Sequence, residues 1–269
     1  MALNTLIFGG SGKCARHITK LLSSQGHNVH SVIRNPAVNE DNSDTVINAW
    51  LTTIQQKSEI EELGGKPIVQ SIEDSSVDDM VQTIKSTNAT SVLWCAGAGG
   101  GNPERTKAVD NEGAIRSMDA TAKAGVKRYI IISALDVRDK SNASTEPDWY
   151  NDADRKRSDG VWKVIKPYME AKFAADRSLA SENERRKLDY TIVRPGGLTN
   201  DPAKGTIDAG KVHLDNQISR EDVAAVVVEC LKRDDTIGLA FDCVGGDTPV
   251  AEAIAKVGKE KINTFEGRY

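Results

Sequence analysis

Short, nearly continuous apolar runs alternate with longer stretches of helical periodicity along the chain. The runs are TLIFGG from Thr5, NVHSVIR, KPIVQSI, TSVLWCAG, KRYIIIS and LDYTIVR, with GLAFDCV following near the C-terminus. Between them lie the helical stretches CARHITKLLSSQG (closing at Gly26), SVDDMVQTIKS, GAIRSMDATAKAG and PYMEAKFAADRSLASENERR. SREDVAAVVVECLK and a last helix from Pro249 complete the series. Strands that are apolar on both faces and joined by helices predict a parallel sheet covered on both sides. Right-handed crossovers wind such a sheet into a doubly wound Rossmann-type α/β fold. A single domain over 1–269 is expected, with a small C-terminal extension on the substrate side.

Three segments break the rhythm. Residues 36–64 exceed what one crossover needs, and TVINAWLTTIQQKSEIEELGG predicts an added helix there. Residues 136–166 read as a long charged loop carrying Trp149, Tyr150 and Trp162. Such a loop is either a lid over a site or a surface insertion. Residues 195–218, around PGGLTNDPAKGTIDAGK, form a substrate-side segment. Beyond it, Ser219 with Asp222 three positions later reads as a helix N-cap.

Composition narrows the functional classes. A hydrophobic content of 39% and a charged content of 28% describe a globular chain. A net charge of −4 argues against a nucleic-acid surface. No apolar run approaches the roughly 20 residues of a membrane span. The N-terminus enters a strand directly, so a cytoplasmic protein with reduced thiols is expected. The four cysteines and four histidines are dispersed without ligand spacing, and no metal is expected. The expected partner is a small-molecule substrate; the sequence leaves the oligomeric state open.

The turn FGGSGKCAR, between the first strand and the first helix, satisfies G-x-G-x-x-A through Gly10, Gly12 and Ala15; Gly9, Gly12 and Ala15 fit as well. Glycine permits the close approach of a pyrophosphate, whose charge the helix N-terminus holds. The turn is not a nucleoside-triphosphate loop, because Cys14 follows Lys13 where a hydroxyl is required. Residues Gly9, Gly10, Ser11, Gly12, Lys13, Cys14 and Ala15 are therefore expected at a dinucleotide. The second strand ends in Arg34 and Asn35 where NAD binders usually carry an acid. A guanidinium pairs with a 2′-phosphate that a carboxylate would repel, which predicts NADP. Ile72, Glu73 and Asp74 after the third strand are placed to flank the adenine. Cys95, Ala96 and Gly97 after the fourth lie toward the nicotinamide ribose.

YMEAK places Tyr168 and Lys172 four apart on one helix face. Using a phenol as an acid–base group near neutrality requires a downward pKa shift of roughly 3 units, about 4 kcal/mol. A nearby ammonium supplies about that at an effective dielectric near 20. Ser133, at the end of the fifth strand, is positioned to hydrogen-bond a substrate oxygen.

GGSGKCARH, VIRNP, AGVKRYIIIS, YMEAK, LDYTIVRPGGLTNDP and ISREDVAAV, in this order, make the chain similar over nearly its whole length to the short-chain dehydrogenase/reductase superfamily. It looks most like the atypical branch that holds NmrA-like and biliverdin-reductase-B-like proteins and fungal NAD-dependent epimerase/dehydratase-like members. The resemblance implies that Tyr168 is the proton donor, Lys172 its partner and Ser133 a substrate-orienting group. It also implies that Pro195, Gly196, Gly197 and Leu198 pack on the nicotinamide. The chain departs from the pattern at Asp110, where many extended members carry an asparagine. The leading expectation is an NADP-dependent reductase of a small carbonyl compound. An NADP(H) sensor without turnover and a redox-neutral isomerase or epimerase are the alternatives.

Overall fold

The computed structural model describes residues 2–34, 43–99 and 102–269. The first half alternates β1 (Asn4–Phe8), α1 (Lys13–Ser24), β2 (Asn28–Ile33), α2 (Ser43–Glu62), β3 (Lys66–Val69), α3 (Val77–Ser86) and β4 (Ser91–Trp94). A short α4 (Pro103–Thr106) runs through a π-helical turn, Lys107–Gly113, into α5 (Ala114–Lys123) and β5 (Arg128–Ile132). Then come α6 (Asp152–Ser181), α7 (Asn183–Arg186), β6 (Asp189–Pro195), β7 (Gly197–Thr199), β8 (Thr206–Gly210) and β9 (Gln217–Ser219). The chain ends with α8 (Arg220–Leu231), β10 (Leu239–Gly245), β11 (Thr248–Pro249) and α9 (Val250–Glu260).

Among the described residues one sheet has the order β11-β8-β10-β6-β5-β4-β1-β2-β3. It is parallel except at β8, which runs antiparallel to β10 and β11. Alternation along the strands separates two cores. Leu6, Phe8, Val92, Trp94, Tyr129 and Ile131 face α3, α5 and α6. Ile7, Leu93, Ile130 and Val193 face α1, α8 and α9. Both faces being apolar is what made the strands read as unbroken hydrophobic runs. Chain order reverses between β4 and β1, so the carboxyl ends of β1, β4, β5 and β6 share one rim, the place where open α/β sheets bind ligands.

The reading of 136–166 as a loop is corrected. Its second half is the start of α6, a helix that continues past Pro167. Asn151 caps it, with its side chain accepting from Asp154 N and Asp154 Oδ2 accepting from Asn151 N at 3.0 Å. This reciprocal box starts a helix despite the charge of the segment. Pro167 removes one helical donor, and the backbone breaks at Ile165 (φ −122°, ψ 34°) two residues before it. The aromatic residues of the segment are packing anchors. Trp162 Nε1 donates to Asp136 Oδ2 at 3.1 Å and Tyr150 Oη to Asp136 Oδ1 at 3.2 Å. Trp149 Nε1 donates to Val212 O at 3.1 Å. The cap at Ser219 forms as expected, accepting from Asp222 N at 2.9 Å.

Candidate active site

The glycine turn is shaped by contact rather than by flexibility. Gly9 has φ +81°, and a Cβ there would lie 2.5 Å from Ala96 Cα; one on Gly10 would lie 2.5 Å from Ser31 Cβ. The backbones of β1, β2 and β4 thus close on each other at the rim, and no larger residue fits. Gly12 N closes the turn on Gly9 O at 2.9 Å. Ala15 is fully buried between α1 and the sheet. A cavity of about 350 Å³ opens against the turn, lined by Gly9, Ser11, Gly12, Arg34, Ile72 and Glu73. Cys95, Ala96 and Gly97 close its other side. These dimensions and this donor set suit a dinucleotide held at a helix N-terminus.

The remaining residues expected at the cofactor are placed differently. Gly10, Cys14 and Ala15 pack behind the turn. Lys13 Nζ donates to Asn200 Oδ1 at 3.2 Å on the outer side. Asp74 accepts from Ser71 Oγ at 2.6 Å, in its own turn. Asn35 lies outside the described residues. Burial pushes the Cys14 thiol up to about 11, against the pull of Arg220. Burial raises Cys95 further, so neither is a thiolate near neutrality.

Gln56, Gln70 and Arg105 also line this cavity and were not expected. Arg105 Nε donates to Glu73 Oε1 at 2.9 Å, and its NH1 to Ala98 O. Glu73 therefore holds a second guanidinium at the cavity. Arg105 lies eleven residues past the end of β4, in a helix too short to show periodicity, so the sequence carried no signal for it.

A second cavity of about 390 Å³ lies along the same rim, beyond β5. Tyr168 and Ser133 line it together, with Pro195, Gly196, Gly197 and Leu198 opposite. Ser133 and Leu135 are fixed to β6 through Ser133 N to Val193 O (2.8 Å) and Leu135 N to Pro195 O (2.9 Å). The first half of α6 contributes Arg157, Ser158, Val161 and Ile165 to the outer wall. Asp154 ties that half-helix down. Its carboxylate accepts from Leu214 N at 2.8 Å and pairs with His213 Nδ1 at 2.6 Å.

Lys172 is buried one turn below Tyr168, with its ammonium 5.7 Å from the phenol ring centroid. It donates to Ile132 O at 3.2 Å. It also lies 3.1 Å from Asp110 Oδ1, an ion pair rather than an aligned hydrogen bond. The π-helical turn presses the fully buried Asp110 against α6, and Asp110 Oδ2 accepts from Ala98 N at 2.9 Å. A π turn in this position is a common mark of a functional site.

The expected effect of Lys172 on Tyr168 is corrected by these contacts. Burial is the largest influence on the phenol and raises its pKa; Lys172 pulls down, while Asp110 and Asp176 push up. The net direction is upward, because burial together with the two carboxylates outweighs the pull of the ammonium. Burial by itself would lower the Lys172 pKa, but Asp110, the phenol and Asp176 together raise it. A raised lysine contributes its stability below its unfolded pKa and loses it only as pH climbs through the folded value, so the pair is intact near neutrality.

Among the described residues no helix is long and apolar enough to cross a membrane, and no group of three His, Cys, Asp or Glu could hold a metal ion. The glycine turn, the reversal of strand order and the paired rim cavities define an NAD(P)-binding protein of oxidoreductase or epimerase type. The chain belongs to the NAD(P)H-binding family, which it matches over residues 9–234. It is 36% identical over 251 residues to UPF0659 protein C216.03 of Schizosaccharomyces pombe, with 93% of each chain covered. It is also 36% identical over 219 residues to the uncharacterized sugar epimerase YhfK of Bacillus subtilis, covering 81% of this chain and 91% of that one. A solved structure from Bacillus halodurans, provisionally described as an NAD-dependent epimerase/dehydratase, matches with a TM-score of 0.71 at 26% identity, over 95% of this chain and 100% of its own.

Proposed function

We propose that this protein is an NADP-dependent reductase of a carbonyl group on a small organic molecule, with Tyr168 as the proton donor. The observation that carries the reading is the placement of the phenol. It lines the second cavity beside Ser133, and its pKa is raised by burial while Asp110 takes up the Lys172 charge. A phenol that stays protonated at neutral pH is ready to donate a proton but poorly able to remove one. Reduction asks for donation. Epimerisation through a keto intermediate asks for abstraction first, so the same observation disfavours it, although one relative is named a sugar epimerase. A complete Ser133, Tyr168 and Lys172 set is also more than an NADP(H) sensor requires.

NADPH would be held in the first cavity against Gly9, Ser11, Gly12 and Arg34 and, when bound, would supply the hydride. Ser133 and Tyr168 together face the carbonyl oxygen, and the phenol delivers its proton there as negative charge develops. Leu135, Met169, Leu198 and Leu214 surround the carbonyl compound and exclude water.

NADP is favoured over NAD by Arg34, which lines the first cavity and has no ion-pair partner among the described residues. Replacing it with glutamate, Arg34→Glu, removes charge-assisted hydrogen bonds to a 2′-phosphate worth about 1.5–3 kcal/mol. NADPH affinity is expected to fall about 10- to 100-fold, with NADH affinity unchanged or improved, as read by equilibrium fluorescence titration. Equal losses for both cofactors would contradict the NADP assignment.

A further inference from the structure

Tyr168, Lys172 and Asp176 follow one another at intervals of four on α6, so the catalytic face of the helix carries a third titratable side chain. Asp176 is fully buried. Its Oδ2 accepts the Ser133 hydroxyl at 2.6 Å, and its Oδ1 has no hydrogen-bond partner among the described residues. A serine has one hydrogen to donate. In this arrangement that hydrogen is directed into the protein, and Ser133 turns only lone pairs toward the cavity it lines. Lone pairs repel a carbonyl oxygen.

We infer that Asp176 is a positioning residue that sets the direction of the Ser133 hydroxyl: as a carboxylate it withdraws the serine hydrogen from the substrate, and as an acid it donates to Ser133 Oγ and releases that hydrogen toward a bound carbonyl oxygen. The inference rests on the reductase reading. Passing from the first state to the second takes up one proton at Asp176, while the Ser133 hydrogen stays on its oxygen and only changes direction.

The surroundings keep both states within reach. Arg194 approaches Asp176 from β6, Ser133 and Tyr129 from β5, and Lys172 and Tyr168 from the same helix; Asp110 stands behind Lys172. Burial raises the carboxyl to about 6, opposed by Arg194, the Ser133 hydrogen bond and Lys172. Arg194 is itself shared with Asp242 at 3.3 Å and with Val137 O at 2.5 Å, which limits how far it holds Asp176 ionised.

The test is the pH dependence of kcat and KM for NADPH oxidation with 9,10-phenanthrenequinone, an activated dicarbonyl, in the full chain and in Asp176→Asn. The acid form is the competent one, so wild-type kcat/KM is expected to fall about tenfold or more from pH 6 to pH 8, as a single ionisation requires. Asparagine donates to Ser133 Oγ at every pH. Asp176→Asn is therefore expected to be flat over that range and to match or exceed the wild type at pH 8. A variant that keeps the wild-type profile, or that loses activity equally at all pH, overturns the inference. A second readout needs no turnover: the 13C carboxyl titration of Asp176 is expected to move up by about one unit in Ser133→Ala, with the loss of a donor to the carboxylate. An unmoved midpoint overturns the link between the two residues. Absence of NADPH oxidation in both proteins would instead count against the reductase reading, leaving the carboxyl titration to decide the Ser133–Asp176 link.

Discussion

Tyr168→Phe is expected to lower kcat for NADPH-dependent carbonyl reduction by about 10²- to 10⁴-fold, the usual contribution of a positioned general acid. NADPH affinity and thermal stability are expected to stay at wild-type values. Tyr168 lines the second cavity and its hydroxyl makes no hydrogen bond to protein among the described residues, so its removal orphans nothing. The ring remains, packed on the α6 side of the sheet and next to the Lys172 ammonium. Steady-state kinetics, cofactor titration and a melting curve on the same preparation separate the three quantities. A variant that keeps wild-type turnover removes Tyr168 from the mechanism.

Lys172→Met carries the largest expected loss of stability. It leaves the fully buried Asp110 carboxylate with Ala98 N as its remaining donor among the described residues. Breaking a buried pair from one side costs about 3–5 kcal/mol, or a fall in Tm of order 10 °C for a chain of this size. Adding Asp110→Asn removes the stranded charge, and the double variant is expected to recover most of the Tm. Failure to recover would mean that Lys172 acts through packing rather than through the pair. This test also explains why an aspartate suits position 110: it holds Lys172 as a charged, buried strut under the phenol.

Strands β1 to β6 and β10 were legible in chain order because most are apolar on both faces, whereas β7, β8, β9 and β11 are short and carry no apolar run. The glycine turn was legible because its backbone contacts tolerate nothing larger at Gly9. The pairing of Tyr168 with Ser133 was legible from helix spacing and strand ends. Three features were not. The capping box of Asn151 and Asp154 was concealed in a charged run whose overall composition reads as loop, although its residues were visible. The partnership of Asp110 with Lys172 depends on a π-helical turn, and α4 with the following turn presents no separate periodicity. The direction of the Tyr168 shift depends first on how deeply the fold buries the phenol and then on the carboxylates near it, contacts between distant segments that local spacing does not encode. The glutamines and Arg105 in the first cavity fall in the same class.

The central claim is hydride transfer coupled to a proton from Tyr168, and isotopic labelling tests it most directly. The protein is mixed with NADPH carrying deuterium at both C4 positions and with a reactive aldehyde or ketone, and the product is analysed by mass spectrometry and NMR. One deuterium is expected on the former carbonyl carbon of a product from an aldehyde or ketone, with one NADPH consumed per product formed. With no carbonyl compound reduced, and bound cofactor recovered with both deuterium atoms in place, the account would be contradicted and the fold would serve sensing or isomerisation instead.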